Sequence, residues 1–462
     1  MKYFQQKRWL YASGEGSGKR VNFLIYAFCI AACVIYLWIN IVARVFPQGG
    51  DESGYYWGTP FPSGVLAGHD FWVTYTYSKV LLSGHNINSL PESIPVSRRG
   101  LFEGARGILV YPPFAFFVYI PYSFISYSDA YSIQMFLILL SNMAVIFLAS
   151  MMARKFLLHA GDDISISSAI TYAVIAAIAF ITISSYGFLF SVERGSSDVF
   201  AMLFSWLFLY ALIRHPDRMW MQALLLSCAI NIKLTPVIFS VLILWKHRWR
   251  VIIPMTVINS ALMMVWGREN ALIFLKGVAR LKATPDGWWG DHSAFSFAYT
   301  TLRSYGLSIQ AGEGLLIAAV LSQWACCALV LWRRGYSASN ALLLFAVSIP
   351  VMMLVPNCSN DYKLILLAGP FSVFAIRWAY QYANSADSKA LVFLFLQFLI
   401  MACIAKSGGF ARHSWAANKF PFVFLFGFLM MLEILRSRSA EGASENGYRS
   451  CRDVRQTLSG KK

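Results

Sequence analysis

Long apolar runs alternate with short polar and basic clusters along most of this chain. A helix that crosses a bilayer needs about 20 mainly apolar residues, and many of the runs approach that length. They lack the period-two alternation of barrel strands, and helices satisfy their own backbone hydrogen bonds in lipid. The pattern therefore predicts an all-α polytopic membrane protein with about twelve transmembrane helices. The runs fall near residues 22–46, 131–153, 166–190, 198–213, 218–231, 234–245, 250–266, 312–332, 339–355, 361–379, 389–405 and 419–436.

Basic residues between the runs indicate their orientation. Lys7, Arg8, Lys19 and Arg20 precede the first run, and an excess of Lys and Arg marks the cytoplasmic side. The tail is polar and without apolar periodicity, which predicts disorder. We therefore expect a cytoplasmic N-terminus at 1–21, a transmembrane domain at 22–436 with outer-face loops at 47–108 and 267–311, and a disordered cytoplasmic tail at 437–462.

The stretch at 109–127 is apolar but opens with Tyr111-Pro112-Pro113. If it crossed the membrane, several basic clusters would lie outside. Placing it along or partly within the outer leaflet keeps those clusters inside, as the positive-inside tendency favours. With both termini cytoplasmic and an uncleaved first helix, the chain is expected in the inner (plasma) membrane of a bacterium.

Composition supports the membrane assignment and narrows the function. Hydrophobic residues make up 58% of the chain and charged residues only 13%, against about 25% charged residues in a typical soluble domain. The net charge of +17 comes from clusters of the kind that set topology, so nucleic-acid binding is not expected. The eight cysteines show no metal-ligand spacing, so no metal site is expected.

Ionisable residues collect at the predicted outer face. Ionisable groups in or near a membrane are costly, which makes them functional candidates. A carboxylate there could act as a general base, and Lys233 with an arginine could hold a phosphate. Nearby aromatics could seat a sugar or a lipid chain, or form the interfacial belt.

Five short motifs occur at these positions. In chain order they are Gly68-His69-Asp70-Phe71-Trp72-Val73-Thr74-Tyr75 with Leu81-Leu82-Ser83-Gly84, Tyr111-Pro112-Pro113-Phe114, Ile232-Lys233-Leu234-Thr235-Pro236, Gly290-Asp291-His292-Ser293 with Arg303, and Pro356-Asn357-Cys358-Ser359 through Tyr362. Together they resemble glycosyltransferase family 87, whose members include polyprenol-phosphate-mannose-dependent mannosyltransferases of the GT-C fold. The fourth motif departs from the family's pattern, with Asp291-His292 in place of Asn-Gln.

The resemblance implies a GT-C-like bundle whose first outer loop contains juxtamembrane helices. It also implies a mechanism of sugar transfer. A polyprenyl-phosphate hexose enters from the outer leaflet, and a first-loop Asp deprotonates the hydroxyl of a lipid or glycan acceptor. That hydroxyl attacks the anomeric carbon with inversion. No cofactor is implied, because protein cations stabilise the departing lipid phosphate.

The residue roles follow from the same resemblance. Asp70 is expected to be the base, with Asp51 as the alternative, and the other reading of Asp70 is a helix cap. Lys233 is expected to neutralise the phosphate, with Arg303 as a second contact. Glu193 and Asp198 either orient acceptor hydroxyls or pair with Arg194 and stabilise a turn. The remaining positions expected to contact substrate are Tyr111, His292, Ser293, Asn357, Asp361 and Tyr362.

Two other functions fit a twelve-helix protein. A secondary transporter usually places its polar site near the membrane midplane, whereas these groups gather at one face. An O-antigen-type polymerase or ligase also uses a lipid-linked sugar, but typically carries its large outer loop late in the chain. Here the longer loop comes first, so a transferase of a hexose such as mannose is the favoured function.

Overall fold

The computed structural model describes residues 55–56, 59–60, 69–84, 111–157, 164–283, 291–356, 358–385, 387–405 and 418–437. The predicted N-terminal segment at 1–21, the first span at 22–46 and all but the first residue of the predicted tail lie outside these ranges. In the first loop, two short strands, β1 and β2, pair antiparallel through Tyr55–Tyr56 and Thr59–Pro60.

Sixteen α-helices make up nearly all of the described residues. Short 3-10 turns join several of them, at Ile120–Phe124, Thr235–Phe239, Arg248–Val251, Leu302–Tyr305 and Asp361–Leu367. The α-helices, in chain order, are α1 His69–Leu82, α2 Pro113–Val118, α3 Tyr127–Leu157, α4 Ile164–Ile183, α5 Tyr186–Arg194, α6 Asp198–Arg214, α7 Met219–Ile232, α8 Ser240–His247, α9 Ile252–Met263, α10 Gly267–Ala283, α11 Ala294–Thr300, α12 Ile309–Arg333, α13 Ala338–Leu354, α14 Ala368–Ser385, α15 Ser388–Ala405 and α16 Phe420–Ser437.

The helices identify a polytopic membrane protein. Within the described residues, five helices are long and apolar enough to cross a membrane, or seven if each of two bent pairs forms one span. One pair bends by 60° between α4 and α5, and the other by 99° before α10. The apolar helices α7 and α13 are shorter, with 14 and 17 residues. The count of twelve spans therefore stays a prediction for the whole chain.

The structure adds local detail to two of the predicted segments. The segment at 267–311 was expected to be a loop, but it begins with the 17-residue helix α10. Its helix-favouring Glu, Arg, Leu, Ala and Lys residues explain this. The ambiguous stretch at 109–127 breaks into the six residues of α2 and a five-residue 3-10 turn. Neither piece is long enough to cross a bilayer about 30 Å thick.

One large apolar core joins most of the helices and positions the polar residues at one end. Helix α14 packs against α3, α4 and α15, and α6 packs against α7. Trp206 on α6 is fully buried, and an added side-chain carbon on Gly369 of α14 would lie 2.4 Å from its ring. Helix α5 packs against the 3-10 turn at Asp361–Leu367. That contact brings the end of α5 close to the polar residues that follow α13.

Candidate active site

Two ion pairs lie where four helices begin or end. Asp70, in the first turn of α1, accepts a hydrogen bond of 2.9 Å at Oδ1 from Nη2 of Arg194, the last residue of α5. Asp198, the first residue of α6, lies 3.3 Å from Nζ of Lys233, which follows α7. Asp198 is almost fully buried, whereas Asp70 is 12% exposed and Arg194 is 21% exposed. Two carboxylates and two cations thus share one half-buried site.

The end of α5 explains the position of Arg194. Ser185 caps the start of α5, where its Oγ accepts a hydrogen bond from the backbone N–H of Phe188. Gly195 follows the last residue of α5 and has the left-handed conformation, with φ 66°. Gly195 packs directly on Phe71, the neighbour of Asp70, because an added side-chain carbon would lie 2.5 Å from Phe71 Cβ. A residue with a side chain would meet both the conformational penalty and the clash. The glycine therefore sets how closely Arg194 approaches Asp70.

Helix α3 holds the same turn from the other side. The hydroxyl of Tyr131 donates to the backbone oxygens of Val192 and Glu193, at 3.0 and 2.9 Å. The side-chain amide of Gln134 donates to the backbone oxygen of Gly195 at 3.1 Å. These bonds engage backbone carbonyls in the last turn of α5 and at Gly195. They fix the backbone that carries Arg194.

Lys233 lies directly after α7, where it contacts the carboxylate of Asp198 and the ring of Tyr111. Asp198 Oδ2 also accepts a hydrogen bond of 2.7 Å from Ser196 Oγ. The ammonium of Lys233 lies 4.2 Å from the ring centroid of Tyr111, a cation–π distance. Burial alone would lower the pKa of Lys233, but the charge of Asp198, with a contribution from Asp70, raises it above its ordinary value. The lysine therefore remains a cation at neutral pH.

Tyr111 itself stays a neutral phenol. Burial raises its pKa well above the ordinary value, and the charges of Asp70 and Asp198 raise it further. Both carboxylates therefore lie within electrostatic range of this one hydroxyl. A neutral hydroxyl there can donate to a substrate oxygen or accept from a substrate hydroxyl.

A second polar cluster joins the segments after α10 and α13. His292 Nδ1 lies 3.2 Å from Asp361 Oδ1, and His292 Nε2 lies 3.0 Å from Ser359 Oγ, with all three side chains buried. Asp291 Oδ1 accepts hydrogen bonds of 2.8 and 2.9 Å from the backbone N–H groups of Ser293 and Ser359. These contacts tie residues 291–293 to residues 359–361.

Burial dominates the electrostatics of Asp291. It raises the pKa of this carboxyl, although the two backbone hydrogen bonds and His292 act in the opposite direction. Ser293 caps α11, where its Oγ accepts from the Ser296 backbone at 3.1 Å. The segment at 291–293 therefore has a clear structural role in holding α11 against the 3-10 turn that begins at Asp361.

Tyr362 links the second cluster to the two ion pairs. It follows Asp361 and packs against Phe190 of α5, with ring centroids 5.7 Å apart. Its hydroxyl is close enough to interact electrostatically with Asp70 and Lys233. Lys363 donates from Nζ to the backbone oxygen of Cys358 at 3.0 Å. The polar residues thus form one continuous region at the α5 end of the bundle.

The structure brings together most, but not all, of the residues expected at the site. Asp70, Lys233, Asp198, Tyr111 and Tyr362 meet at the two ion pairs, and His292, Ser293 and Asp361 form the adjoining cluster. Glu193 is buried beside Arg194. Arg303 is exposed, and its described contact is with Tyr299 at 5.5 Å, which joins it to neither pair. Asp51 and Asn357 lie outside the described residues.

The main residue missing from the sequence-based site is Arg194. It was considered a partner of Glu193 or Asp198, whereas the structure pairs it with Asp70 and pairs Asp198 with Lys233. The signal was present in Arg194-Gly195, because a basic residue followed by glycine marks a helix end. Within the described ranges, no group of three or more His, Cys, Asp or Glu side chains could hold a metal ion.

Comparison with protein families decides the class of this site. The model of glycosyltransferase family 87 matches residues 109–356, more than half of the 462 residues. The chain belongs to glycosyltransferase family 87. It is therefore an enzyme that takes a sugar donor and an acceptor, which confirms the predicted family and enzyme class and decides against a transporter. No curated protein and no solved structure matches the chain significantly.

The family match and the ion pairs support the site in different ways. Tyr111, Arg194, Asp198 and Lys233 lie within the matched residues, whereas Asp70 lies outside them. Asp70 belongs to the site because of its 2.9 Å contact with Arg194. Within the described residues, its second oxygen, Oδ2, makes no hydrogen bond. A family 87 glycosyltransferase thus presents one carboxylate oxygen that is available to accept a proton.

Proposed function

We propose that this family 87 enzyme transfers a mannose-like hexose from a polyprenyl-phosphate sugar to a lipid or glycan acceptor at the outer face of the plasma membrane. The observation that carries the proposal is the ion pair of Asp70 with Arg194, which lies within electrostatic range of Lys233 in the neighbouring ion pair with Asp198. Transfer from a lipid phosphate needs a base for the acceptor and positive charge for the leaving phosphate. This one cluster offers both.

The reaction balances with Asp70 as the general base. Oδ2 of Asp70 takes the proton of an acceptor hydroxyl, and the hydroxyl oxygen forms a bond to the anomeric carbon. The bond from that carbon to the phosphate oxygen breaks, and its electron pair stays on the lipid phosphate. Attack from the face opposite the leaving group inverts the anomeric configuration. The proton on Asp70 then returns to water.

Lys233 stabilises the charge that appears on the leaving phosphate. Its ammonium is a cation at neutral pH because Asp198 raises its pKa. Asp198 also anchors it near the phenol of Tyr111. Tyr111, Tyr362 and Glu193 are positioned to contact sugar or acceptor hydroxyls. The reaction needs no cofactor, since both charged roles belong to side chains of this chain.

The proposal includes the arrangement of the whole chain. We propose a GT-C-like bundle of about twelve transmembrane helices, with both termini cytoplasmic, in a bacterial inner membrane. The bent pair α4–α5 and the helices α6 and α7 bring their ends to one polar region. That convergence supports a site at one membrane face, where a lipid-linked donor would arrive.

The decisive experiment compares wild-type protein with Asp70→Asn in detergent. Transfer from radiolabelled polyprenyl-phosphate mannose to a membrane lipid extract is measured. Asp129→Asn is the matched control, because Asp129 also lies in the first turn of a helix and accepts from Ser126 Oγ at 2.6 Å. General-base catalysis contributes about 10²- to 10⁴-fold, so we expect a loss of that size in Asp70→Asn and none in Asp129→Asn.

Each outcome has a defined meaning. Equal loss in both variants would show that Asp70 contributes only to the stability of its helix. Full transfer by a folded Asp70→Asn protein would move the base to Asp51. No transfer by the wild type from several lipid-linked hexoses would refute this donor class.

A further inference from the structure

Arg194 carries an unused hydrogen-bond donor at the centre of the site. Its Nη2 binds Asp70, but its Nε is fully buried and has no hydrogen-bonding partner among the described residues. Leaving a buried donor without a partner is energetically costly. A catalytic role or a bound ion is among the reasons why a protein retains such a group. Arg194 therefore keeps one donor that Asp70 does not satisfy.

The surrounding charges indicate which acceptor fits. Lys233, the other cation of the cluster, is already engaged by Asp198 and by the ring of Tyr111. The planar guanidinium of arginine presents its N–H groups as a fork, which matches the oxygens of a phosphate. A phosphate oxygen has the chemistry that fits the unsatisfied donor of Arg194, because Lys233 already has partners.

We propose that Arg194 is shared between Asp70 and the phosphate of the donor. Without donor, its Nη2 holds the carboxylate of Asp70 in place. With donor bound, Nε and part of the guanidinium turn to the phosphate, and the contact with Asp70 weakens. This inference rests on the proposed lipid-phosphate donor, and it adds a residue and a coupling that the proposed mechanism does not require.

The coupling links donor binding to the release of the base. When the bond between the anomeric carbon and the phosphate oxygen breaks, the phosphate retains the electron pair and gains one negative charge. Arg194 then interacts more strongly with the phosphate than with a carboxylate that has taken a proton. Asp70 and the phosphate therefore compete for the same cation, and removing one must strengthen the contact with the other.

Equilibrium binding of a tritiated polyprenyl monophosphate, the leaving group of the reaction, tests this competition. The protein is the full chain in lipid nanodiscs, and the matching polyprenol without phosphate is the comparator. Arg194→Gln is expected to weaken binding of the phosphate by about 10- to 100-fold, the worth of a charge-assisted hydrogen bond. Asp70→Asn is expected to strengthen it severalfold, because it releases Arg194.

Control variants distinguish a residue that binds the phosphate from a residue with only a structural role. Arg218→Gln changes an exposed arginine at the other end of α7 from Lys233, and it should leave binding unchanged. Arg194→Lys keeps the charge but loses the fork, so binding should be intermediate. If Arg194 only orients Asp70, neither Arg194→Gln nor Asp70→Asn changes phosphate affinity, and the inference is wrong.

The remaining outcomes also decide between proposals. If the wild type binds polyprenol as tightly as polyprenyl phosphate, the proposed donor class fails together with the inference. If the wild type prefers the phosphate but Arg303→Gln loses affinity and Arg194→Gln does not, the role belongs to Arg303. If Arg194→Gln does not fold, unchanged or weaker binding by Asp70→Asn alone overturns the inference.

Discussion

Replacing Gly195 with alanine should disrupt the ion pair between Asp70 and Arg194. The new side-chain carbon would lie 2.5 Å from Phe71 Cβ and 3.4 Å from Phe71 Cγ. An ordinary contact between carbon atoms is about 3.8 Å, so α1 and the turn must separate by about 1.3 Å. Phe71 is the neighbour of Asp70, and the displacement therefore acts directly on the 2.9 Å contact with Arg194.

The expected effect is larger on activity than on stability. A misplacement of about 1 Å at a reacting group costs on the order of 100-fold in rate. The left-handed conformation of Gly195, with φ 66°, adds about 1–2 kcal/mol of strain for any residue with a side chain. We expect kcat for transfer from the lipid-linked donor to fall by about two orders of magnitude, while the protein still folds.

Gly335→Ala supplies the matched control. Gly335 also has a positive φ, 84°, but an added side-chain carbon would meet nothing within 4 Å. It therefore carries the same conformational strain without the clash, in the turn after α12. Thermal unfolding in detergent and initial transfer rates are measured for both variants. Wild-type transfer by Gly195→Ala, with a loss of stability equal to that of Gly335→Ala, would refute the proposed role of the close contact.

Two further predictions concern groups that are buried away from solvent. Burial raises the pKa of Asp291 above its ordinary value of 3.8, so ionising this carboxyl costs the folded protein stability as the pH rises from that value through the folded pKa. The melting temperature of Asp291→Asn relative to the wild type should therefore rise over that range, and a difference that stays constant as the pH rises from 3.8 would contradict this. Glu433 on α16 binds Arg377 at 2.7 Å and Arg436 at 2.8 Å. Arg436 also pairs with Asp387 at 2.7 Å, so Glu433→Gln should cost about 3 kcal/mol mainly by removing the carboxylate partner of the largely buried Arg377. Transfer by the folded fraction of Glu433→Gln should be unchanged, since Arg377 lies roughly 24 Å along the span from Asp361; reduced transfer would show that this network also shapes the site.

The sequence was sufficient to predict a helical membrane protein because that class depends on local information. Apolar length predicts helices in a membrane, and Lys233 stood out as a charge between two apolar runs. The bends were harder to predict. The run at 166–190 was expected to be one span, yet it bends by 60° before α5. The bend depends on packing of α5 against the turn at Asp361–Leu367, which no local pattern encodes.

Pairings within the site could not be predicted for a related reason. Asp70 and Arg194 are separated by 124 positions, and several acidic and basic residues compete for partners at this face. Which two meet depends on how closely α1 approaches the end of α5. That approach is set by the absence of a side chain at Gly195 and by the hydrogen bonds from Tyr131 and Gln134. Steric fit selects the ion pairs here, and charge alone does not.

The departure from the family pattern at Asp291-His292 illustrates the same point. On sequence grounds, an acid and a histidine in a site motif suggest altered contact with substrate. In the structure both side chains are fully buried, Asp291 Oδ1 binds two backbone N–H groups, and both ring nitrogens of His292 have partners in Asp361 and Ser359. A substrate could reach His292 only by displacing one of those partners. The changed residues therefore act first on the scaffold that positions Tyr362, and differences in acceptor choice are better sought at the more open ion pair of Asp70 and Arg194.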